Sequence, residues 1–472
     1  MGGGSHSHGT GSGLRGGWRG WRRWRDDRAL LAVLVFVGVA GVAAVVGLVL
    51  LWPTGEGRDA ARQQADDIGL TYQRLAATVV EVTDRACSYS APDDPQACRS
   101  ITVRIDDGPD EGAQVALPEF NLTFDRSTIR IAPADKVIVG YEDSNDYYFF
   151  VDRDRRTPLV WLAGLFALVV VALGRLRGTL ALVGMAVTLV VLIAFVAPSV
   201  LDGNDPVLVA VVAAAVVAFV SLYLTHGLNT GTTVALAGTL ASLGLTLALS
   251  WAFFSLADFS GLATEEGLTL PLIAGDVDLA ALLLGGAIIG ALGALDDVTV
   301  TQVATVAELR YRSPHLPRRE LVASGIRIGR EHIAATVNTL LLAYAGAGLP
   351  LVLLFAVSDQ SLAMVANSEL IAVEIVRTLC GSMGLVAAVP VTTVLAALAT
   401  TGAGPLQPVE PVGAPSAPGD SHERPDEQSA GGDNSGANNG GGRGAVETAE
   451  AEKPDPAPRW EDFAPEDDQP LW

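Results

Sequence analysis

The sequence predicts an all-α polytopic membrane protein of about eight transmembrane helices, with an inserted small β-rich extracytoplasmic domain and a disordered C-terminal tail. Three observations predict it. Half of the 472 residues are hydrophobic and the mean hydropathy is positive, which places the chain in the membrane class. The apolar residues come in runs of about 20, the length that crosses a hydrocarbon layer. After the first run comes a polar stretch in which hydrophobic residues alternate, as strands require.

Residues 1–28 form an Arg/Trp-rich N-terminus expected in the cytosol ("WRGWRRWRDDR"). The run at 29–52 is too long for the apolar region of a cleaved signal peptide and ends in Trp52-Pro53, so it reads as an anchor. Further runs fall near 158–174, 179–200, 206–225, 232–256, 279–296, 332–356 and 378–400. With the N-terminus inside, the Arg-rich "GRLRG" (174–178) and 310–330 lie in the cytosol. The loops at 202–206, 257–267 and 358–360 carry acids without Arg or Lys and lie outside. An even number of crossings returns the C-terminus to the cytosol.

Residues 53–157 are then extracytoplasmic. A helical lead-in, "RDAARQQADDIGLTYQRLAA", precedes about five Val/Ile/Thr/Tyr-rich runs broken by Asp-Gly, Pro and Asn. Strands of this number and length suggest a small closed barrel of the oligonucleotide/oligosaccharide-binding type. Cys87 and Cys98, eleven apart in an exported domain, can close a disulfide loop. Cys380, in an apolar run, packs as a small hydrophobe. Residues 401–472 are rich in Pro, Gly, Asn and acids, bury too little to offset ordering, and are expected to be disordered.

The net charge of −21 sits mostly in that tail and in 54–157. No basic patch with interleaved aromatics marks a nucleic-acid surface. The two imidazoles of "SHSHG" are too few for a metal site. There is no His-Glu-x-x-His, no phosphate loop and no Gly-x-Ser-x-Gly elbow. Asp296 and Asp297 are adjacent on one helix, about 100° apart, and do not converge as a shared-proton pair would. An enzyme is therefore not expected, nor any metal or cofactor.

The chemistry concentrates in "GALGALDDVTVTQVATVAELR", residues 290–310. Either the helix ends at the twin acids, which are then solvated, or it continues and its polar ladder lines a cleft. Asp297, Thr301 and Glu308 share a stripe that runs back through Ala294 to Gly290. Gly286 and Gly290 form a close-packing pair. Asn338 lies deep in a span interrupted by "AGAGLP", and Glu374 and Arg377 can pair one turn apart. A charged group in lipid is expensive and must face water or a partner. The expected function is thus a secondary transporter or permease component with an acidic polar pathway. Asp297 would couple a proton or cation, and Asp296, Thr301, Gln302, Asn338, Glu374 and Arg377 would line the path of an unknown solute. The alternative is a non-catalytic envelope scaffold or sensor whose external domain binds an envelope protein.

The segments "GLNTGTTVALAGT", "GGAIIGALGALDDVTVTQVATVAEL" and "EIVRTLCGSMGLVAAVPVTT" resemble, in that order, the YibE/F-like family of bacterial integral membrane proteins. The likeness runs from roughly residue 70 to 400. It implies a seven-helix family domain over 158–400 in the inner or plasma membrane, and no biochemical role.

Overall fold

The computed structural model describes residues 28–91, 96–122, 130–143, 145–357 and 361–402. The Arg/Trp-rich segment to residue 27, the "SHSHG" imidazoles, the loop at 358–360 and the acidic tail lie outside the described residues.

The helix α1 (Arg28–Leu50) is apolar all round, as a span is. It buries one stripe, Leu30, Val33 and Val37, against α5 (Pro206–His226). Gly41 and Gly47 permit the approach: methyls there would lie 3.2 Å from the Phe219 ring and 2.5 Å from a Val212 methyl. Past Trp52, which stacks on Phe195 at 6.1 Å, the chain turns at Gly55 (φ 91°) into α2 (Glu56–Asp67). Four donors at this turn converge on the Asp202 carboxylate. They are the Thr54 N–H (2.5 Å) and hydroxyl (2.9 Å), the Gly55 N–H (3.1 Å) and the Gly57 N–H (2.9 Å). Asp202 also faces the positive end of α2.

The expected lead-in helix stops earlier than its polar pattern implies. Gly69 takes φ 69°, and the following residues enter β1 (Gln73–Ala86). With β2 (Ala97–Ile105), β3 (Gln114–Ala116), β4 (Phe120–Asn121), β5 (Lys136–Glu142) and β6 (Tyr147–Arg153), it forms an antiparallel sheet of order β3-β2-β1-β5-β6, with β4 also on β2. The expected closed barrel is corrected: among the described residues the path stays open. β3 and β4, at three and two residues, are too short to bridge to β6. Leu75, Ala77 and Val79 on β1, Ile101, Val103 and Ile105 on β2, and Val137 and Val139 on β5 form one core face. A bulge between Val79 and Glu81 reverses the alternation, so Val82 faces the core beyond it. Cys87 and Cys98 form a disulfide across the mouth of the β1–β2 hairpin.

From β6 the chain enters α3 (Arg156–Val191), which continues through a π-helical turn (Leu192–Val196) into α4 (Ala197–Leu201). This run of 46 residues would reach about 69 Å if straight, twice the hydrocarbon thickness. It is not straight. Arg175 is non-helical (φ 48°, ψ −131°). A methyl on Gly178 would sit 3.0 Å from the Val170 carbonyl carbon, although residues eight apart on one helix are separated by about 12 Å. The chain folds back here, separating the runs expected at 158–174 and 179–200.

Next come α5 and α6 (Thr230–Ala257), then α7 (Glu265–Ile273), α8 (Leu279–Arg312), α9 (Arg318–Ala347), α10 (Leu349–Val357), α11 (Leu362–Asn367) and α12 (Glu369–Gly402). Asp205, Asn229, Thr264 and Asp278 cap α5 to α8 through their side chains. Glu369 accepts from the Ser260 N–H (2.9 Å) and hydroxyl (2.8 Å) and the Gly261 N–H (2.6 Å). Among the described residues, six helices are long and apolar enough to cross a membrane: α1, the α3–α4 run, α5, α6, α8 and α12. The run expected at 332–356 is divided between α9 and α10 at Gly348 and is not one of the six. The helical core joins α1, α5, α6, α8, α9 and α12.

Two expectations follow. Burial alone would raise the Asp202 pKa, but the hydrogen bonds from Thr54, Gly55 and Gly57 outweigh it and hold the carboxyl below the ordinary aspartate range. A depressed folded-state pKa stabilises the clamp above the unfolded value and is lost as pH falls through the folded one. Asp202→Asn should therefore open residues 52–58 to limited proteolysis at neutral pH, whereas wild type opens only under strong acid. Removing the Cys87–Cys98 bridge should destabilise the sheet by about 3 kcal/mol, read as a lowered urea midpoint with dithiothreitol.

Candidate functional site

The helix α8 continues unbroken through Asp296 and Asp297. Its buried face is Ile288, Leu292, Leu295, Thr299, Gln302 and Val306, and its exposed face is Gly286, Gly290, Gly293, Asp297 and Thr301. The adjacent acids therefore part company. Asp297 lies on the exposed face, within electrostatic reach of His226. Asp296 is half-buried, and its Oδ1 is fully buried without a hydrogen-bond donor among the described residues. The threonine ladder does not supply one. Thr299, Thr301 and Thr305 donate to carbonyls of their own helix, at Asp296 (3.1 Å), Asp297 (2.8 Å) and Thr301 (2.8 Å).

Asp296 opens onto a cavity of about 190 Å³ between α3, α5 and α8. Ala213, Ala214 and Ala218 of α5 and Gly293 of α8 leave the space, and Ser221 and Thr188 add hydroxyls to its wall. The volume admits several waters or a small solute. The π-helical turn begins at its edge with Leu192; such wide turns recur at functional sites.

A second, smaller crevice of about 10 Å³ lies on another face of α8. Gly290 and Ala294 line it with Arg377, Thr378 and Gly381 of α12 and Leu340 of α9. Arg377 donates to Glu374 at 2.6 Å, and its Nη2 lies 4.0 Å from where a Gly286 methyl would be. Gly290 thus shares this crevice with Arg377, and Gly286 lies at its edge. Asn338 is exposed on α9. The structure therefore does not gather the expected pathway residues into one cavity: Asp296 faces α5, and the Glu374–Arg377 pair sits on the α12 side.

Gln302 has a different setting, packed between three helices. Its Nε2 donates to the Gly325 carbonyl on α9 (2.8 Å) and the Thr393 hydroxyl on α12 (2.7 Å). Thr393 in turn donates to the Val389 carbonyl at 2.6 Å. A methyl on Gly329 would lie 2.9 Å from Gln302 Oε1, so glycine on α9 admits the amide.

Sequence reasoning missed the seam beside it. Gly238 packs on Thr392, Gly384 on Thr246, and Ser250 reaches the Cys380 thiol. Each step of four or eight residues up α6 matches the same step down α12, so the helices run antiparallel in close register. Methyls on Gly238 and Gly384 would lie 3.2 and 3.1 Å from the Cβ atoms of Thr392 and Thr246, with the hydroxyls nearer still. The hydroxyl oxygens thus sit against glycine Cα–H groups. A bridging Thr239–Thr299 hydroxyl bond of 2.6 Å joins α6 to α8. The four-residue spacing of Gly238, Ser242, Thr246 and Ser250, mirrored by Cys380, Gly384, Ala388 and Thr392, was the available signal.

These features define a multi-pass helical membrane protein whose packed helices hold a carboxylate against a partly open pocket. The model of the YibE/F-like protein family matches residues 162–402, just over half of the chain. The chain belongs to that family. No curated protein and no solved structure matches it. The match spans the helical block and excludes the β domain.

Because Gly384 touches Thr246 directly, Gly384→Val should overpack the α6–α12 seam. Overpacking of a close-packed interior costs about 1–3 kcal/mol, to be seen as a lower melting temperature of the purified protein in detergent. Gly244→Val is the control, since nothing lies within 4 Å of a methyl there.

Proposed function

We propose that the chain is a component of a secondary transporter or permease of a bacterial cell membrane, coupled through Asp296. The observation that carries this reading is Asp296, half-buried on the wall of a roomy pocket, with its Oδ1 fully buried and donorless among the described residues. A charged carboxylate with one oxygen buried and unpartnered is disfavoured, and a proton or a cation relieves it. Carboxylates in such positions mark coupling sites in transporters. Sequence alone favoured Asp297 for this role. Asp297 lies on the exposed face and lines no described pocket, whereas Asp296 does, and the reading moves to that neighbour.

An eight-crossing path with cytosolic termini accompanies the proposal. The Asp202 clamp ties the end of the α3–α4 run to the entry of the β domain, so that run leaves and returns to one side. The Glu369–Ser260 clamp requires the chain between α8 and α12 to return likewise, giving α9 and α10 a crossing. The Arg-rich loops then fall inside.

Electrical recording from proteoliposomes, challenged with proton, sodium and potassium gradients and solute panels, tests the coupling. Asp296→Asn should reduce any specific current by at least about tenfold, equivalent to about 1.4 kcal/mol, while Asp297→Asn retains it. Equal currents in wild type and Asp296→Asn would remove Asp296 from the mechanism. Transport by a chain lacking residues 60–150 would further separate this reading from an envelope scaffold that works through its external domain.

A further inference from the structure

We propose that the solvent face of the β sheet binds a pyranose ring of an uncharged, β-linked glycan. This goes beyond the transport reading and does not depend on it. On β1, β5 and β6, alternate residues face the core; on the opposite face β6 presents two aromatic residues, Tyr147 and Phe149, beside Arg74 of β1 and Gly140 and Glu142 of β5. Arg74, Gly140 and Phe149 share one rung across the three strands, and Glu142 pairs with Tyr147 on the next. Tyr72 stands just before β1.

Their geometry is a floor and a wall. A methyl on Gly140 would lie 2.8 and 2.7 Å from Phe149 Cε1 and Cε2, and closer to Cζ. Near-equal distances to both Cε atoms, only slightly longer than that to Cζ, mean that the ring lies flat on the glycine. Its other face therefore points outward. Tyr147 continues this floor, its ring 6.0 Å away and tilted by only 24°; it is 46% exposed. Tyr72 stands edge-on to Phe149 at 4.9 Å and 69°. The Arg74 guanidinium lies 5.6 Å from the centre of Tyr72.

This combination suits a sugar. A β-linked pyranose has a flat face of axial C–H groups and a rim of equatorial hydroxyls. The Phe149–Tyr147 floor matches the face by ring stacking, and Arg74, Glu142 and the Tyr72 hydroxyl offer donors and acceptors for the rim. A lipid surface fits less well. The platform lies beside the β5–β6 turn, and the seven residues of β6 carry the chain roughly 20 Å from it toward α3. A polyanion fits less well too, because Glu142, Asp143 and Asp146 surround that turn.

The test uses the full chain in lipid nanodiscs free of sugar detergents, titrated with a β-linked N-acetylglucosamine tetrasaccharide. Saturation-transfer NMR should show the strongest transfer to the axial ring protons, and calorimetry should give a saturable isotherm. Tyr147→Ala should weaken binding by at least about tenfold, while Tyr147→Phe should bind within about twofold of wild type. Tyr147 is largely exposed, so its truncation leaves the sheet folded, verified by an unchanged melting curve. Gly140→Val, which lifts the floor, should weaken binding similarly. Absence of saturable binding up to about 10 mM sugar, equal binding by Tyr147→Ala, or preference for anionic vesicles or peptides would overturn the assignment.

Discussion

The helical block depends on one constraint: a polar group at membrane depth must be satisfied from within the protein. α8 carries most of that burden, since it contacts α5, α6, α9 and α12. Each of its polar residues meets the constraint differently. Thr299 and Thr301 return their hydroxyls to their own backbone. Gln302 reaches two other helices. Arg310, buried at the cytosolic end of the proposed topology, holds the Pro314 and Leu316 carbonyls at 3.0 and 2.8 Å. Among the described residues Arg310 leaves its Nε and Asp296 its Oδ1 buried without a partner; of the two only Asp296 lines a pocket, which is why the functional reading settles there.

Packing without a strong hydrophobic drive explains the distribution of small residues. Lipid is as apolar as leucine, so helices associate through close contact and hydrogen bonds. Where α6 meets α12, glycine on one side and a hydroxyl residue on the other bring the backbones together. The same device on α5 has the opposite effect. Ala213, Ala214 and Ala218 face Leu192, Ile289 and Leu292 without filling the space between, and the result is a pocket. Small residues produce contact or cavity according to what stands across from them, and a single chain read alone does not contain that information.

This marks the boundary of what was legible in the sequence. The strands could be read because a half-buried sheet imposes a period of two on its own residues, as Leu75, Ala77 and Val79 show. Sheet closure could not, because it depends on partners for β3 and β6. The apolar runs were plain, but the fold-back at Arg175 appears locally only as "GRLRG". The twin acids were visible as an anomaly, yet their order of importance was not. Asp296 and Asp297 differ only by the 100° that turns one toward α5, and α5 is more than seventy residues away in the chain. The α6–α12 register was hidden for a related reason: the exposed side of α6 is itself apolar, with Trp251 and Leu256 on it, so its buried glycine and hydroxyl stripe does not stand out by polarity.

The β domain and the pocket are joined by a short path through the Asp202 hydrogen bonds. Thr188 and Leu192 form part of the cavity wall, the π-helical turn starts at Leu192, and Asp202 follows ten residues later, about 15 Å along a helix. Asp202 then grips the turn at Thr54–Gly57 that starts α2, and α2 touches both α4 and α7. A π turn closes i→i+5 rather than i→i+4 bonds, and this one lies between the pocket wall and Asp202. Two links therefore join α2 to the helical block: the covalent turn from α1, and the hydrogen bonds on Asp202 at the end of α4. The segment between residues 188 and 202 borders the pocket at one end and carries the clamp at the other, and so belongs to both halves of the molecule.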